Sequence, residues 1–151
     1  PELARFDAAP VLKMDFYTFL SDYTDELKMA FDSLLRKGFG IDTLNGGKHI
    51  GNIGYYGIDT VRGDAELGIM IGNRDYWGKG YGSDAVCTLL DYIAENTGLK
   101  RIYLKTLEWN IRAQRSFAKC GFKSYSTLER DGYHFIMMDT KIKRDLSVKE
   151  P

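Results

Sequence analysis

Between Arg74 and Ser83 the chain reads Arg-Asp-Tyr-Trp-Gly-Lys-Gly-Tyr-Gly-Ser, with glycine at every second position (Gly78, Gly80, Gly82) and Lys79 inside the loop. A strand-like apolar stretch precedes this loop, and a helix-like stretch follows it. Backbone N–H groups that feed a helix N-terminus form an anion site, because the orphan donors and the helix dipole both point at the ligand. The chemistry on offer is phosphate binding. A Walker loop needs four residues between its first glycine and Gly-Lys, followed by Ser or Thr. Here five residues separate Gly72 from Gly78, and Gly80 follows Lys79. The dinucleotide fingerprint Gly-x-Gly-x-x-Gly would need glycine where Ser83 stands, and it belongs between parallel strands. The strands ahead of this loop read as antiparallel. What remains is a Gly-x-Gly loop, after a central strand and before a long helix, able to wrap the pyrophosphate of coenzyme A.

Other residues offer chemistry of their own. Lys79 brings charge to a phosphate or simply a solvated presence, and Ser83 either donates its hydroxyl to phosphate or caps the following helix. Glu66 is a carboxylate in an otherwise apolar stretch. It reads as a general base, or else as a strand-end residue facing solvent or paired with an arginine. His49 and His134 have no second histidine or cysteine at ligand spacing, so no metal site is expected. His134 reads as a structural histidine before a catalytic one. Tyr55, Tyr56, Tyr76 and Trp77 could wall a cleft for an amine or pack as ordinary strand aromatics.

The elements that hold these residues follow from periodicity. Ser21–Arg36 reads as a helix, with Leu27, Phe31, Leu34 and Leu35 at helical spacing and Gly38 to stop it. Phe39–Leu44 and Lys48–Asp59 read as strands around the hairpin signal Asn45-Gly46-Gly47. Ala65–Ile71 reads as a third strand, apolar enough to be central. Val86, Leu89, Leu90 and Ile93 give the stripe of an amphipathic helix closed by Gly98, and Ile102–Leu107 returns as a parallel strand. Ala113, Phe117 and Cys120 mark a short helix ending at Gly121. Phe122–Glu129 and Tyr133–Ile142 form a closing hairpin around Asp131-Gly132. The fold class is α/β (α+β), a mixed and mostly antiparallel sheet with helices on both faces.

At 151 residues the chain fits a single domain. Lys+Arg and Asp+Glu are equal at 21 each, so no field exists to capture nucleic acid or an anionic membrane. Cys87 and Cys120 both fall in helical patterns and read as small buried hydrophobes of a reducing compartment, with no disulfide expected. No apolar run of about 18 residues and no charged-then-apolar leader occurs, so a cytoplasmic location is expected. The first residue is Pro1 rather than methionine, so a fragment whose beginning was removed or went unseen is the expectation.

Two blocks of sequence resemble the GNAT superfamily of acetyl-CoA-dependent N-acetyltransferases. The acyl-CoA signature Gln/Arg-x-x-Gly-x-Gly/Ala falls on Trp77-Gly78-Lys79-Gly80-Tyr81-Gly82, with Trp77 where Gln or Arg is usual. The form Trp-Gly-Lys-Gly-Tyr-Gly is similar to that of ribosomal-protein alanine N-acetyltransferases and related amine acetyltransferases. Asn110 to Phe122, with Ala113, Phe117, Lys119 and Gly121 in register, resembles Asn-x-x-Ala-x-x-x-Tyr-x-Lys-x-Gly-Phe. The resemblance runs over residues 38–142, and Pro1–Phe6 looks like the stretch that follows the family's first strand and helix. A single acetyltransferase domain over 1–151, three-layered and lacking that opening strand and helix, is the expectation.

The resemblance implies roles. Acetyl-CoA is the co-substrate, with its pyrophosphate on residues 78–83 beside Trp77 and no metal. Ile69, Met70 and Ile71 lie where relatives splay from the next strand to pair with the pantetheine arm and aim one N–H at the thioester oxygen. Glu66 falls where the family often has its base. Asn110 matches the asparagine that bonds the pantetheine arm, and a plain N-cap role is compatible with it. Phe117 replaces a tyrosine proposed to protonate the departing thiolate, so that role is vacant; Ser116 is about 100° round the helix and is not promoted to it. The implied reaction acetylates a primary amine, either a protein N-terminus or a small amine such as a polyamine or aminoglycoside. A homodimer is a further expectation. The alternative is an acyl-CoA-binding sensor or interaction module without catalysis.

Overall fold

A computed structural model describes residues 35–144. Most of the helix read over Ser21–Arg36 lies outside the described residues. Its expected end does not hold: Arg36 opens a strand, and Gly38 sits inside that strand opposite Gly54. The close cross-strand approach constrains Gly54, whose β-carbon would run into the carbonyl of Lys37, whereas a β-carbon at Gly38 would meet nothing within 4 Å. Gly38 is therefore a sheet residue and not a helix stop.

The first three strands, β1 (Arg36–Asp42), β2 (His49–Asp59) and β3 (Asp64–Ile71), form an antiparallel meander. Helix α1 (Tyr81–Asn96) crosses to β4 (Arg101–Leu107), helix α2 (Ile111–Lys119) follows, and β5 (Lys123–Arg130) and β6 (Tyr133–Lys141) close the chain as a hairpin. Spatial order is β1-β2-β3-β4-β6-β5, so β3 is central as its apolar sequence requires. Every neighbouring pair is antiparallel except β3 with β4, which the α1 crossover makes parallel.

Turn chemistry explains where strands stop. Asp131 and Gly132 have φ of 53° and 76°, the two positive values that a tight two-residue hairpin turn demands. Between β2 and β3, the Asp59 carboxylate accepts the backbone N–H groups of Val61 and Arg62 at 3.0 and 2.8 Å and folds the chain back.

One face of the sheet meets both described helices. Ile53 and Tyr55 of β2, Ala65 and Leu67 of β3, Ile102 and Leu104 of β4, and Met138 of β6 form one core with Val86, Leu89 and Ile93 of α1 and Phe117 of α2. Full burial of each such aliphatic side chain is worth about 1.5–3 kcal/mol. Alternation along the strands sends Tyr56, Glu66, Tyr103 and Lys105 to the opposite face, which no described helix covers.

Both helix ends are set by capping. Helix α1 stops at Asn96, two residues before Gly98, because the N–H and hydroxyl of Thr97 both take the Ile93 carbonyl, at 3.0 and 2.8 Å. Helix α2 ends as its sequence indicates, with Gly121 in the left-handed region at φ 89° just past the cap Cys120. A second correction concerns the cysteines: Cys87 and Cys120 are joined in a disulfide. Each falls in a helical sequence pattern, Cys87 inside α1 and Cys120 at the cap of α2, but only the packing of α1 against α2 brings the two sulfurs together.

Candidate active site

The parallel pairing of β3 with β4 covers only Asp64–Glu66 against Arg101–Tyr103. Beyond Glu66 the strands part, while β4 stays zipped to β6 as far as Leu107 and β3 stays paired to β2 as far as Ile71. From Leu67 to Ile71, the edge of β3 that faces β4 has no ladder partner. A cavity of about 680 Å³ opens in this gap. It runs from the glycine loop and α2, between the strands, to Tyr56 and Glu66 on the opposite face.

At the loop end, Asn73 starts a 3-10 turn by accepting the N–H of Asp75 at 2.9 Å. Gly78 and Gly80 then take positive φ of 68° and 92°. Gly80 is the N-cap of α1 and supplies no side-chain cap, so the first N–H groups of that helix keep their donors pointed outward. A β-carbon built at Gly78 or Gly80 would meet nothing within 4 Å, which is the geometry of an open cradle. Ser83 therefore is not the cap; it lies in the first turn of α1, where its Oγ is 2.9 Å from Ser116 Oγ of α2. Trp77 is pinned as well. Its indole N–H donates to the Ile71 carbonyl at 2.8 Å, and the Arg112 guanidinium lies 3.9 Å over its ring. Burial, together with the nearby charge of Arg74, pulls Arg112 below the ordinary arginine range.

At the far end, Glu66 is largely buried and its Oε1 accepts from Lys105 Nζ at 2.6 Å. Its neighbour across the pair, Tyr103, has its phenol pushed above the usual value by burial first and then by the charges of Glu66 and Asp64. Farther along the same face, Arg101 bridges Asp139 at 2.7 Å and Asp64 at 3.4 Å.

Residues 1–123 match the family model described as the acetyltransferase (GNAT) domain. The chain belongs to the GNAT acetyltransferase family. Uncharacterized N-acetyltransferase p20 of Bacillus licheniformis is 36% identical over 108 residues, which are 70% of this chain and 57% of that protein. Spermine/spermidine N(1)-acetyltransferase of Bacillus subtilis is 34% identical over 77 residues, 51% of each chain. The chain thus spans about half the length of the curated relatives it matches. Among solved structures, the spermidine N-acetyltransferase from Vibrio cholerae in complex with CoA and spermine superposes with a TM-score of 0.80 at 17% identity, covering 93% of this chain and 83% of that one. That likeness establishes the GNAT fold. None of these proteins is named for ribosomal-protein N-termini, so the branch suggested by Trp-Gly-Lys-Gly-Tyr-Gly gains no support from them.

GNAT proteins use acetyl-CoA, and most residues read from the resemblance meet in the one cavity. Glu66, Ile69, Met70, Ile71, Trp77, Gly78, Gly80, Gly82, Ser83, Asn110 and Phe117 all line it. Lys79 and Tyr81 do not; the Tyr81 ring instead packs edge-on against Tyr76 at 5.3 Å. Asn110 caps α2, its Oδ1 accepting the Ala113 N–H at 3.3 Å. Phe117 is buried in the core with one edge at the cavity, 5.9 Å from Phe122 between ring centres. Tyr56 and Tyr76 line the cavity, whereas Tyr55 is buried beneath the helices. His134 is exposed on the outer hairpin, 4.0 Å from Glu129, and His49 bonds Asp42 at 2.9 Å.

Sequence reasoning passed over Ser116 and the three cations Arg112, Arg115 and Lys119, which also line the cavity. Their spacing of three and four residues on one helix was the available signal.

Proposed function

We propose that the protein transfers the acetyl group of acetyl-CoA to a primary amine, with a polyamine first among acceptors. The observation that carries this reading is the gap between β3 and β4. It joins an uncapped glycine cradle to a largely buried carboxylate through a single cavity. The donor supplies an activated thioester. The N–H groups at the start of α1 suit its pyrophosphate, and the open edge of β3 suits an amide-bearing arm laid beside it. A backbone N–H at the end of β3 stabilises negative charge on the thioester oxygen as nitrogen attacks. On the opposite face Glu66 accepts the amine proton with its second oxygen, since Oε1 holds Lys105. Help is needed most for amines of pKa near 10, and less for an α-amino group near 8. Phe117 has no proton to give, so the departing thiolate takes one from solvent.

The name of the Bacillus subtilis relative, a spermine/spermidine N(1)-acetyltransferase, supports a polyamine acceptor. On the open face the carboxylates of Glu66, Asp64 and Asp139 are offset by Lys105 and Arg101, so charge alone does not select one. The test is thiol release from acetyl-CoA against spermine, spermidine, small diamines and N-terminal peptides, with Glu66→Gln in parallel. Turnover with amines that falls in the variant is the expected result. Tight coenzyme binding with no turnover on any amine would instead establish the sensor, the reading that the missing hydroxyl at Phe117 favours.

A further inference from the structure

The disulfide joins the two helices that bound the cradle end of the cavity. Cys87 stands one turn after Ser83 on α1 and Cys120 is the C-cap of α2, with their Cα atoms 5.4 Å apart. The Cys120 sulfur also lies 3.1 Å from the Ser83 carbonyl, in the first turn of the helix whose free N–H groups form the cradle. We propose that this cross-link is a redox switch on the coenzyme site. The disulfide form holds the site assembled; reduction to two thiols loosens it and lowers its affinity for the donor. The inference rests on acetyl-CoA being the donor.

Helix α2 depends on such a tie. It has nine residues, too few to be stable alone, and Phe117 is its one fully buried side chain. Its polar contact with α1 runs through small groups. The Ser83 and Ser116 hydroxyls meet at 2.9 Å, and a β-carbon at Gly82 would lie 3.4 Å from Ser116 Oγ. A neutral hydrogen bond contributes less than a cross-link that spans 33 residues. Gly82 and Ser83 of α1 line the cavity together with Ala113, Ser116 and Phe117 of α2. A shift of one helix against the other therefore alters both the wall and the aim of the first N–H groups. Reduction leaves a weak tie, because a Cys120 thiol in that place donates to the Ser83 carbonyl. The seam loosens without opening.

The exchange balances with a dithiol as reductant. Neither cysteine is fully buried, so the sulfurs are within its reach. One thiolate of the dithiol attacks one sulfur, forming a mixed disulfide, and the other cysteine leaves and takes a proton. The second thiol of the reductant then displaces the remaining cysteine and departs as a disulfide. Two electrons and two protons pass to the protein. The chain has only two cysteines, so no other pairing competes.

The experiment measures binding of desulfo-coenzyme A, which carries no thiol to exchange, by calorimetry on the oxidised and the reduced full chain. The reduced form binds about tenfold more weakly. Linkage requires the same factor in the other direction. Saturating desulfo-coenzyme A lowers the midpoint potential of the disulfide, titrated with dithiothreitol, by about 30 mV, the equivalent of tenfold for a two-electron couple. The Cys87→Ser, Cys120→Ser protein binds as the reduced wild type does and ignores reductant. Circular dichroism at the assay temperature shows the reduced form still folded; a reduced form that unfolds makes the cross-link a plain staple and overturns the switch. Equal affinity of the two forms, tighter binding by the reduced one, or a midpoint that the ligand does not move overturns the inference while leaving the donor assignment intact. Failure of both forms to bind overturns the donor assignment, and the inference with it.

Discussion

Glu66 and Lys105 form a close ion pair at the far mouth of the cavity, and Trp77 and Ile71 form a hydrogen bond at the near one. These two contacts separate chemistry from binding. Glu66→Gln keeps the shape and the Lys105 contact but removes the proton acceptor. Turnover with a polyamine is expected to fall by about 10²–10³ at neutral pH. The deficit should narrow above the amine's own pKa, where free base is plentiful; a rate profile against pH checks this. Trp77→Phe keeps the ring under Arg112 but loses the indole N–H. It should raise KM for acetyl-CoA by roughly three- to tenfold, the worth of one hydrogen bond, with kcat little changed. Of these residues, Glu66 was legible as a lone carboxylate in an apolar run. The job of Trp77 was not, because its bond to Ile71 bridges a turn whose path only the folded loop defines.

At the scale of elements, α1 and α2 are stapled by Cys87–Cys120 over a separation of 33 residues. A cross-link of that length limits the unfolded chain and should contribute about 2–4 kcal/mol. A reducing agent is therefore expected to lower the midpoint of denaturation, and Cys87→Ala should abolish that sensitivity. Thermal melts with and without reductant decide it, and equal melts would contradict the pairing. Turn signals had already fixed most strand ends. Asn45-Gly46-Gly47 and Asp131-Gly132 are turns in which positive φ is required, and such residues announce themselves. The cross-link did not, since it depends on which helix faces meet. The gap after Glu66 was expected from the family resemblance alone, because Ile69-Met70-Ile71 satisfies an ordinary buried strand equally well and divergence is a property of two strands together. Arg115 and Lys119 escaped for a related reason: charges on a helix read as a solvated face until a cavity is seen beside them.

For the whole molecule, alkaline pH probes how the sheet holds its tyrosines. Burial raises the phenols of Tyr55 and Tyr103 above their usual 10.0 in the folded state. The unfolded chain therefore releases those protons first, so the folded state is fully favoured below pH 10 and loses ground as pH rises through the raised values. Denaturation midpoints should drop above pH 10, with a shallower drop for Tyr103→Phe. The GNAT assignment itself was legible, because two separate blocks in the right order bound the loop and α2 to one ligand. The proposed function rests on a single physical requirement, that main-chain N–H groups of residues 78–83 clasp the coenzyme's diphosphate. Hydrogen–deuterium exchange with and without saturating coenzyme A reads those amides directly. Exchange across residues 78–83 is predicted to slow on binding, together with Ile69–Ile71. Coenzyme A that binds while those amides exchange at their free rate would contradict the account.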